Sequence, residues 1–270
     1  MNPLPRELSP GLFWLGQCYA IPFEGKVVHN NNAVYLIAGR QHSALVEAGI
    51  SWDTPVIVEQ LATLIEQRGL PEPRYVFPTH SEQAHSGGLG HLLTRYPQAT
   101  VHGDISDLHL VFPEFVERLH FADPGERFDL GGTEVVVVES VFRDLVTTRW
   151  YFDTRSRALF TGDGFAYSHY HDDGACGRLV EEANEVDLPS HMVFFAMSAF
   201  HWTGFVDIEP YADRLEDLVF EELDAQLILS THGLPIGDPA ATMPAIREGF
   251  RAMRDAEPAS VAALDDVLGS

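Results

Sequence analysis

The chain has 270 residues, 45% of them hydrophobic, which suits one large α/β domain or two small ones. Its 17 basic and 40 acidic residues leave a formal net charge of −23, and a surface so acidic repels nucleic acid and anionic membranes, which are bound through basic patches. Pro3, Pro5 and Glu7 interrupt the start of the chain where a signal peptide needs an unbroken apolar run, and no apolar stretch approaches the roughly 18 residues of a membrane span, so a cytoplasmic protein is expected.

Residues 12–19 alternate and are aromatic-rich, which predicts a strand, and the polar stretch 23–32 predicts a loop. Residues 33–38 and 43–46 read as a hairpin around the turn Gly39-Arg40-Gln41-His42, with Glu47 closing the second strand. Pro55 opens a helix whose apolar face is Val56, Val58, Leu61, Leu64 and Ile65, and Gly69 ends it. Residues 74–78 form a short buried strand, 89–95 a helix, 100–103 a strand, and 107–112 a short helix. Strands follow at 134–139, 149–153, 158–160 and 226–230, with helical spacing at 207–223 and 244–256. Residues 167–173 read as a histidine-rich loop containing His169 and His171. Trp150, Phe194, Phe195, Phe200 and Trp202 read as core or pocket wall. Cys18 and Cys176, far apart and outside any CxxC pair, read as small buried hydrophobes. The pattern shows no repeat and no linker, so one domain over 1–270 with a C-terminal helix at about 241–256 is expected.

The densest chemistry lies at Thr79-His80-Ser81-Glu82-Gln83-Ala84-His85-Ser86-Gly87-Gly88. His80, Glu82 and His85 offer three metal ligands at the end of a strand, and the two glycines allow a tight turn into the next helix. Imidazole with carboxylate suits zinc, iron or manganese. A His-x-Glu pair is common on surfaces; this one is followed, in order, by Leu159-Phe160-Thr161-Gly162-Asp163 and Ser230-Thr231-His232-Gly233, two further strand ends that carry potential ligands.

The stretch resembles the H-x-H-x-D-H signature of the metallo-β-lactamase superfamily. It is more similar to the H-x-E-x-D-H variant of flavodiiron and oxygen-binding di-iron proteins, with Ala84 where that pattern has aspartate. The resemblance implies an α/β fold of four αββα layers. It implies Asp163 as a bridge between two metals and His232 as the final ligand. The family's spacing back from Asp163 reaches Asp144 in the place of a histidine; the bland alternative for Asp144 is a loop aspartate paired with Arg143 or Arg149. One metal then sees His80, Glu82 and Asp144, and the other His85 and His232. The loss of an aspartate at Ala84 and the gain of Asp144 leave the carboxylate count at three. Glu47 stands where the family usually has aspartate and reads as a support or a strand-end cap.

A carboxylate at Glu82 is the mark of the di-iron branch, so the resemblance implies two iron ions, with zinc or manganese as alternatives. The function implied is binding or activation of O2 or a related small molecule, as an oxidoreductase or a sensor. With no flavodoxin domain expected, reductive turnover needs an external electron donor. A homodimer is a common assembly in the superfamily. A zinc-dependent hydrolase of an ester, lactone or phosphodiester stands as an alternative, in which metal-bound water is the nucleophile. A degenerate, non-catalytic member is the third, with Ala84 and Asp144 as its evidence.

Overall fold

The computed structural model describes residues 3–23, 26–166, 171, 173–183, 187–196 and 199–254. Strands β1 (Arg6–Ser9), β2 (Leu12–Leu15), β3 (Cys18–Phe23), β4 (Lys26–Asn31), β5 (Val34–Ala38) and β6 (Ser43–Val46) open the chain. Then come α1 (Thr54–Arg68), β7 (Pro73–Phe77), α2 (Gln83–Ser86), α3 (Leu89–Arg95), β8 (Thr100–Gly103), α4 (Leu108–Val111) and β9 (Leu119–Phe121). The rest comprises β10 (Arg127–Asp129), β11 (Glu134–Val138), β12 (Trp150–Asp153), β13 (Ala158–Gly162), α5 (Leu188–Ala196), α6 (Glu209–Glu216), β14 (Leu227–Ser230) and α7 (Pro239–Arg254). One sheet runs β1-β2-β5-β6-β7-β8-β9, the other β10-β11-β12-β13-β14, and β3-β4 form a separate ribbon.

Period-two alternation assigns each strand residue to a layer. In β5, Tyr35 and Ile37 face the second sheet while Val34 and Leu36 face α1 and α3. In β12, Tyr151 joins the inter-sheet core, and Trp150 and Phe152 pack under α5, α6 and α7. Three apolar layers result: helix on sheet, sheet on sheet, and sheet on helix, the αββα sandwich. Because both faces of these strands are covered, their side chains read as apolar runs, each burial contributing about 1.5–3 kcal/mol.

Three expectations change. The strand expected at 12–19 ends at Leu15, because the chain turns through Gly16 at φ 108° before β3 begins. The loop expected at 23–32 contains β4, which is paired along its length with β3 from Cys18↔Asn31 to Phe23↔Lys26. The last helix begins at Pro239, ahead of Pro244, because Asp238 caps it by accepting the Ala241 N–H at 3.0 Å.

The site is set by parallel pairing. β6 pairs parallel with β7 in one sheet, and β13 with β14 in the other, so four strands end at the same edge of the sandwich. The sheets are tied there by Arg149 N–H donating to Thr79 O at 2.8 Å and Ala33 N–H donating to Thr231 O at 2.8 Å. Gly162 makes the close approach: it has φ 58°, and a Cβ there would collide with Thr79 Oγ1.

Candidate metal centre

His80, Glu82, His85, Asp144, Asp163 and His232 come from the ends of β7, β13 and β14, the turn into α2, and the loop before β12. Asp163 stands in the middle. Its Oδ1 lies 3.3 Å from His85 Nε2 and 3.3 Å from His232 Nε2, and its Oδ2 lies 4.0 Å from His80 Nε2. Asp144 Oδ2 approaches His80 Nε2 at 3.3 Å. Ligand atoms of His80, Glu82, Asp144 and Asp163 all fall within 4.8 Å of one another, as do those of His80, His85 and Asp163. Five of the six residues singled out from the sequence therefore fall in two overlapping groups that share His80 and Asp163, and His232 joins them through Asp163.

The imidazoles are aimed from behind. Glu47, on the end of β6, receives Nδ1–H of His85 at 3.0 Å, Thr79 N–H at 3.1 Å, and the hydroxyls of Thr79 and Thr231 at 2.7 Å each. Thr79 has spent its only hydroxyl proton on Glu47, so at 3.2 Å from His80 it can only accept, which puts the His80 proton on Nδ1. His232 Nδ1 lies 3.1 Å from the Asn31 carbonyl, which can only accept. In all three rings the lone pair is thus left on Nε2, facing Asp163, as a metal requires. Backbone strain accompanies this arrangement: Glu47 sits at φ 68° and Phe165, just after Asp163, at φ 71°, each costing about 1–3 kcal/mol.

His80 Nε2, His85 Nε2 and Asp163 Oδ1 are buried and make no hydrogen bond. Three such atoms at one point would be costly unless a cation satisfied them. Electrostatics agree in part: burial pushes the His85 imidazole down, but Glu47 and Asp163 outweigh it and hold the ring above its usual range, so a cation there displaces a proton from it. Burial pushes the Glu82 carboxyl above its usual range, and the neighbouring charges of Asp163 and Asp144 push it further. Burial also acts to raise the Asp163 carboxyl, but the imidazoles of His85, His232 and His80 outweigh it and hold Asp163 well below the ordinary carboxylate range. His80 is pushed down by burial and by His85, which favours the neutral ring a metal needs. The donor set therefore fits divalent cations, with three oxygens and one nitrogen on one side and two nitrogens and one oxygen on the other.

Asp144 is not engaged by either arginine near it. Arg143 pairs with Glu139 at 3.2 Å and Arg149 with Asp104 at 3.1 Å, while Asp144 Oδ1 accepts from the Thr148 hydroxyl at 2.9 Å. Glu47 touches His85 from the far side, a supporting position. Thr79, Thr231 and Asn31 are the residues that the sequence did not announce; Thr79 and Thr231 are each adjacent to a candidate ligand histidine, the one available signal. His169 lies outside the described residues. His171 does not join this centre; it pairs with His29 through backbone hydrogen bonds of 2.8 and 3.0 Å.

The sequence pattern of the metallo-beta-lactamase superfamily matches residues 29–195, and the chain belongs to that superfamily. Among individual proteins it is similar to the Coenzyme F420H2 oxidase of Methanothermobacter marburgensis, 21% identical over 176 residues that make up 61% of this chain and 43% of the oxidase. Its fold is shared with rubredoxin oxygen:oxidoreductase from the anaerobe Desulfovibrio gigas, at TM-score 0.72 and 15% identity over 91% of this chain and 60% of that one. It is also shared with the flavodiiron protein from Giardia intestinalis, at TM-score 0.68 and 18% identity over 92% and 59% of the two chains. The chain thus spans roughly half the length of these relatives. Among the described residues no helix is long and apolar enough to cross a membrane.

Proposed function

We propose that the chain holds two iron ions between His80, Glu82, Asp144, Asp163, His85 and His232, and that it binds or reduces O2 or a related small molecule. The observation that carries this reading is the carboxylate crowding of Glu82, Asp144 and Asp163 around His80. Hard oxygen donors favour iron over the nitrogen-rich sets that suit zinc. The relatives named as oxidase and oxidoreductase point the same way. Iron in such a site supplies O2 binding and one-electron chemistry. The chain's own residues do the rest. Glu47, Thr79 and Asn31 fix the imidazole tautomers, and Asp163 holds the two halves together. An open pocket of about 300 Å³, lined by Arg143, Asp144, Leu145, Trp202 and Tyr211, borders the centre at Asp144. Reductive turnover needs an electron donor.

The test is anaerobic loading with ferrous iron, followed by exposure to O2. Two irons per chain and an absorption change on exposure are expected. Protein that takes up only zinc, and then hydrolyses an ester or lactone, would replace this reading with the hydrolytic one.

A further inference from the structure

A second cluster of donors lies on the β3–β4 ribbon. Cys18 pairs with Asn31, and Ala20 with His29, so Cys18 and His29 are diagonal neighbours on one face. His171 runs antiparallel beside His29, joined to it by two backbone hydrogen bonds, and Cys176 follows five positions later. The side chains close up: Cys18 Sγ lies 3.4 Å from His171 Nε2, and Cys176 Sγ lies 3.4 Å from His29 Nδ1. Donor atoms of Cys18, His171 and Cys176 all fall within 4.8 Å of one another. Both cysteines are free thiols. They are half-buried and in polar contact, so the expectation that they act as small buried hydrophobes is corrected.

We propose that Cys18, His29, His171 and Cys176 form a zinc site. The set is two sulfurs and two nitrogens, the composition of closed structural zinc sites. A tetrahedral ion with Zn–S near 2.3 Å and Zn–N near 2.0–2.1 Å would place each sulfur roughly 3.5 Å from each nitrogen; Cys18–His171 and Cys176–His29 stand at 3.4 Å, while His29 lies outside the group whose donor atoms are mutually within 4.8 Å, so its ring closes on the other two donors only when the ion binds. On binding, the two thiols lose their protons to solvent, and the two thiolates balance the charge of the ion. The site would staple the segment 171–176 to the ribbon. That ribbon in turn ends at Asn31, whose carbonyl orients His232 and whose amide donates to Gly233 O at 3.3 Å. The inference does not depend on which metal occupies the Asp163 centre.

The experiment is zinc-edge X-ray absorption on the full chain, saturated with zinc under reducing conditions and desalted. The Asp163 centre contains no cysteine, so sulfur neighbours report only on the ribbon site. Two sulfurs around one class of zinc are expected, and the variant His29→Cys should raise the sulfur count to three. Zinc surrounded by nitrogen and oxygen alone would overturn the proposal, as would a Cys18–Cys176 disulfide persisting in that reduced sample. An unchanged sulfur count in a folded, zinc-loaded His29→Cys protein would remove His29 from the set and overturn the four-ligand site. The unsubstituted chain carries the main measurement, so a variant that fails to fold leaves the test intact.

Discussion

The cluster around Asp163 and the cluster around Cys18 use the same imidazole donor with opposite companions. Around Asp163 the companions are carboxylates, on strand ends locked by both sheets. Around Cys18 they are thiols, on a two-stranded ribbon outside either sheet. Hard oxygens and soft sulfurs select different ions from the same surroundings. The supports differ as well. Each histidine of the first cluster has a partner on its far nitrogen, with Glu47 collecting four donors. A chain that invests a buried carboxylate in aiming rings is building for reactivity; a ribbon crossed by two thiols and two imidazoles is building a clasp.

The largest expected effect comes from Asp163→Ala, which removes the one residue common to both halves of the first centre. Iron content should fall from two per chain to near none, while sulfur-bound zinc stays at one; elemental analysis after desalting reads both. Retention of both irons in that variant would refute the bridging role of Asp163.

Glu47→Ala comes next. It leaves His85 Nδ1 and the Thr79 and Thr231 hydroxyls buried beside a void, and breaking a buried charged network of this kind costs about 3–5 kcal/mol. Urea unfolding of the metal-free protein should show the loss, and iron affinity should drop by about 10–100-fold, the usual cost of losing a group that orients a ligand. If stability falls but iron affinity does not, Glu47 is a packing residue and the contrast between the two clusters weakens.

A milder change is expected from Ala84→Asp. Ala84 precedes His85 on α2, beside the half of the centre that has only His85, His232 and Asp163. A carboxylate there should tighten iron binding to that half by about 10-fold, the scale on which single groups tune metal sites. Calorimetric titration of the second equivalent decides it; an unchanged affinity means the half-centre has been rebuilt around some other group.

The first centre was far more legible in the sequence than the second. His80, Glu82 and His85 are nearly contiguous, because one strand end and one turn present all three. Asp163 and His232 close plain apolar runs, covered on both faces as Tyr151 and Trp150 facing opposite cores illustrate. Asp144 could be located only by its distance from Asp163, since nothing in its own neighbourhood marks a ligand. The thiol cluster was hidden for a physical reason: Cys18 and Cys176 meet only because β3 pairs with β4 and His171 bridges to His29 on that ribbon. Asn30, Asn31 and Asn32 have low strand propensity, and the backbone pairing that overrides it is tertiary information. The fold's layering was legible only through the resemblance, because strands such as β5, β6, β12 and β13 are buried on both faces and read as continuous apolar runs.

The smallest effect concerns a pair of rings with no carboxylate companion, which serves as the control for both clusters. His102 stacks on His120 with ring centroids 5.1 Å apart and leans on Phe128 at 4.6 Å. Burial, with His120 and Arg74 adding to it, pushes the His102 imidazole down from 6.5 to about 4. The folded ring therefore resists a proton that the unfolded chain accepts. Stability is complete above about pH 6.5 and is lost as pH falls toward about 4, where the folded ring also titrates. His102→Phe keeps the stacking and removes the proton site, so urea midpoints measured above and below that window should differ less than in the unsubstituted protein. Equal differences in the two proteins would show that His102 does not titrate on unfolding and would leave the acid sensitivity to other groups. The result also bears on the clusters. An imidazole kept neutral by burial and neighbouring positive groups needs no ion, whereas the rings around Asp163 face a carboxylate.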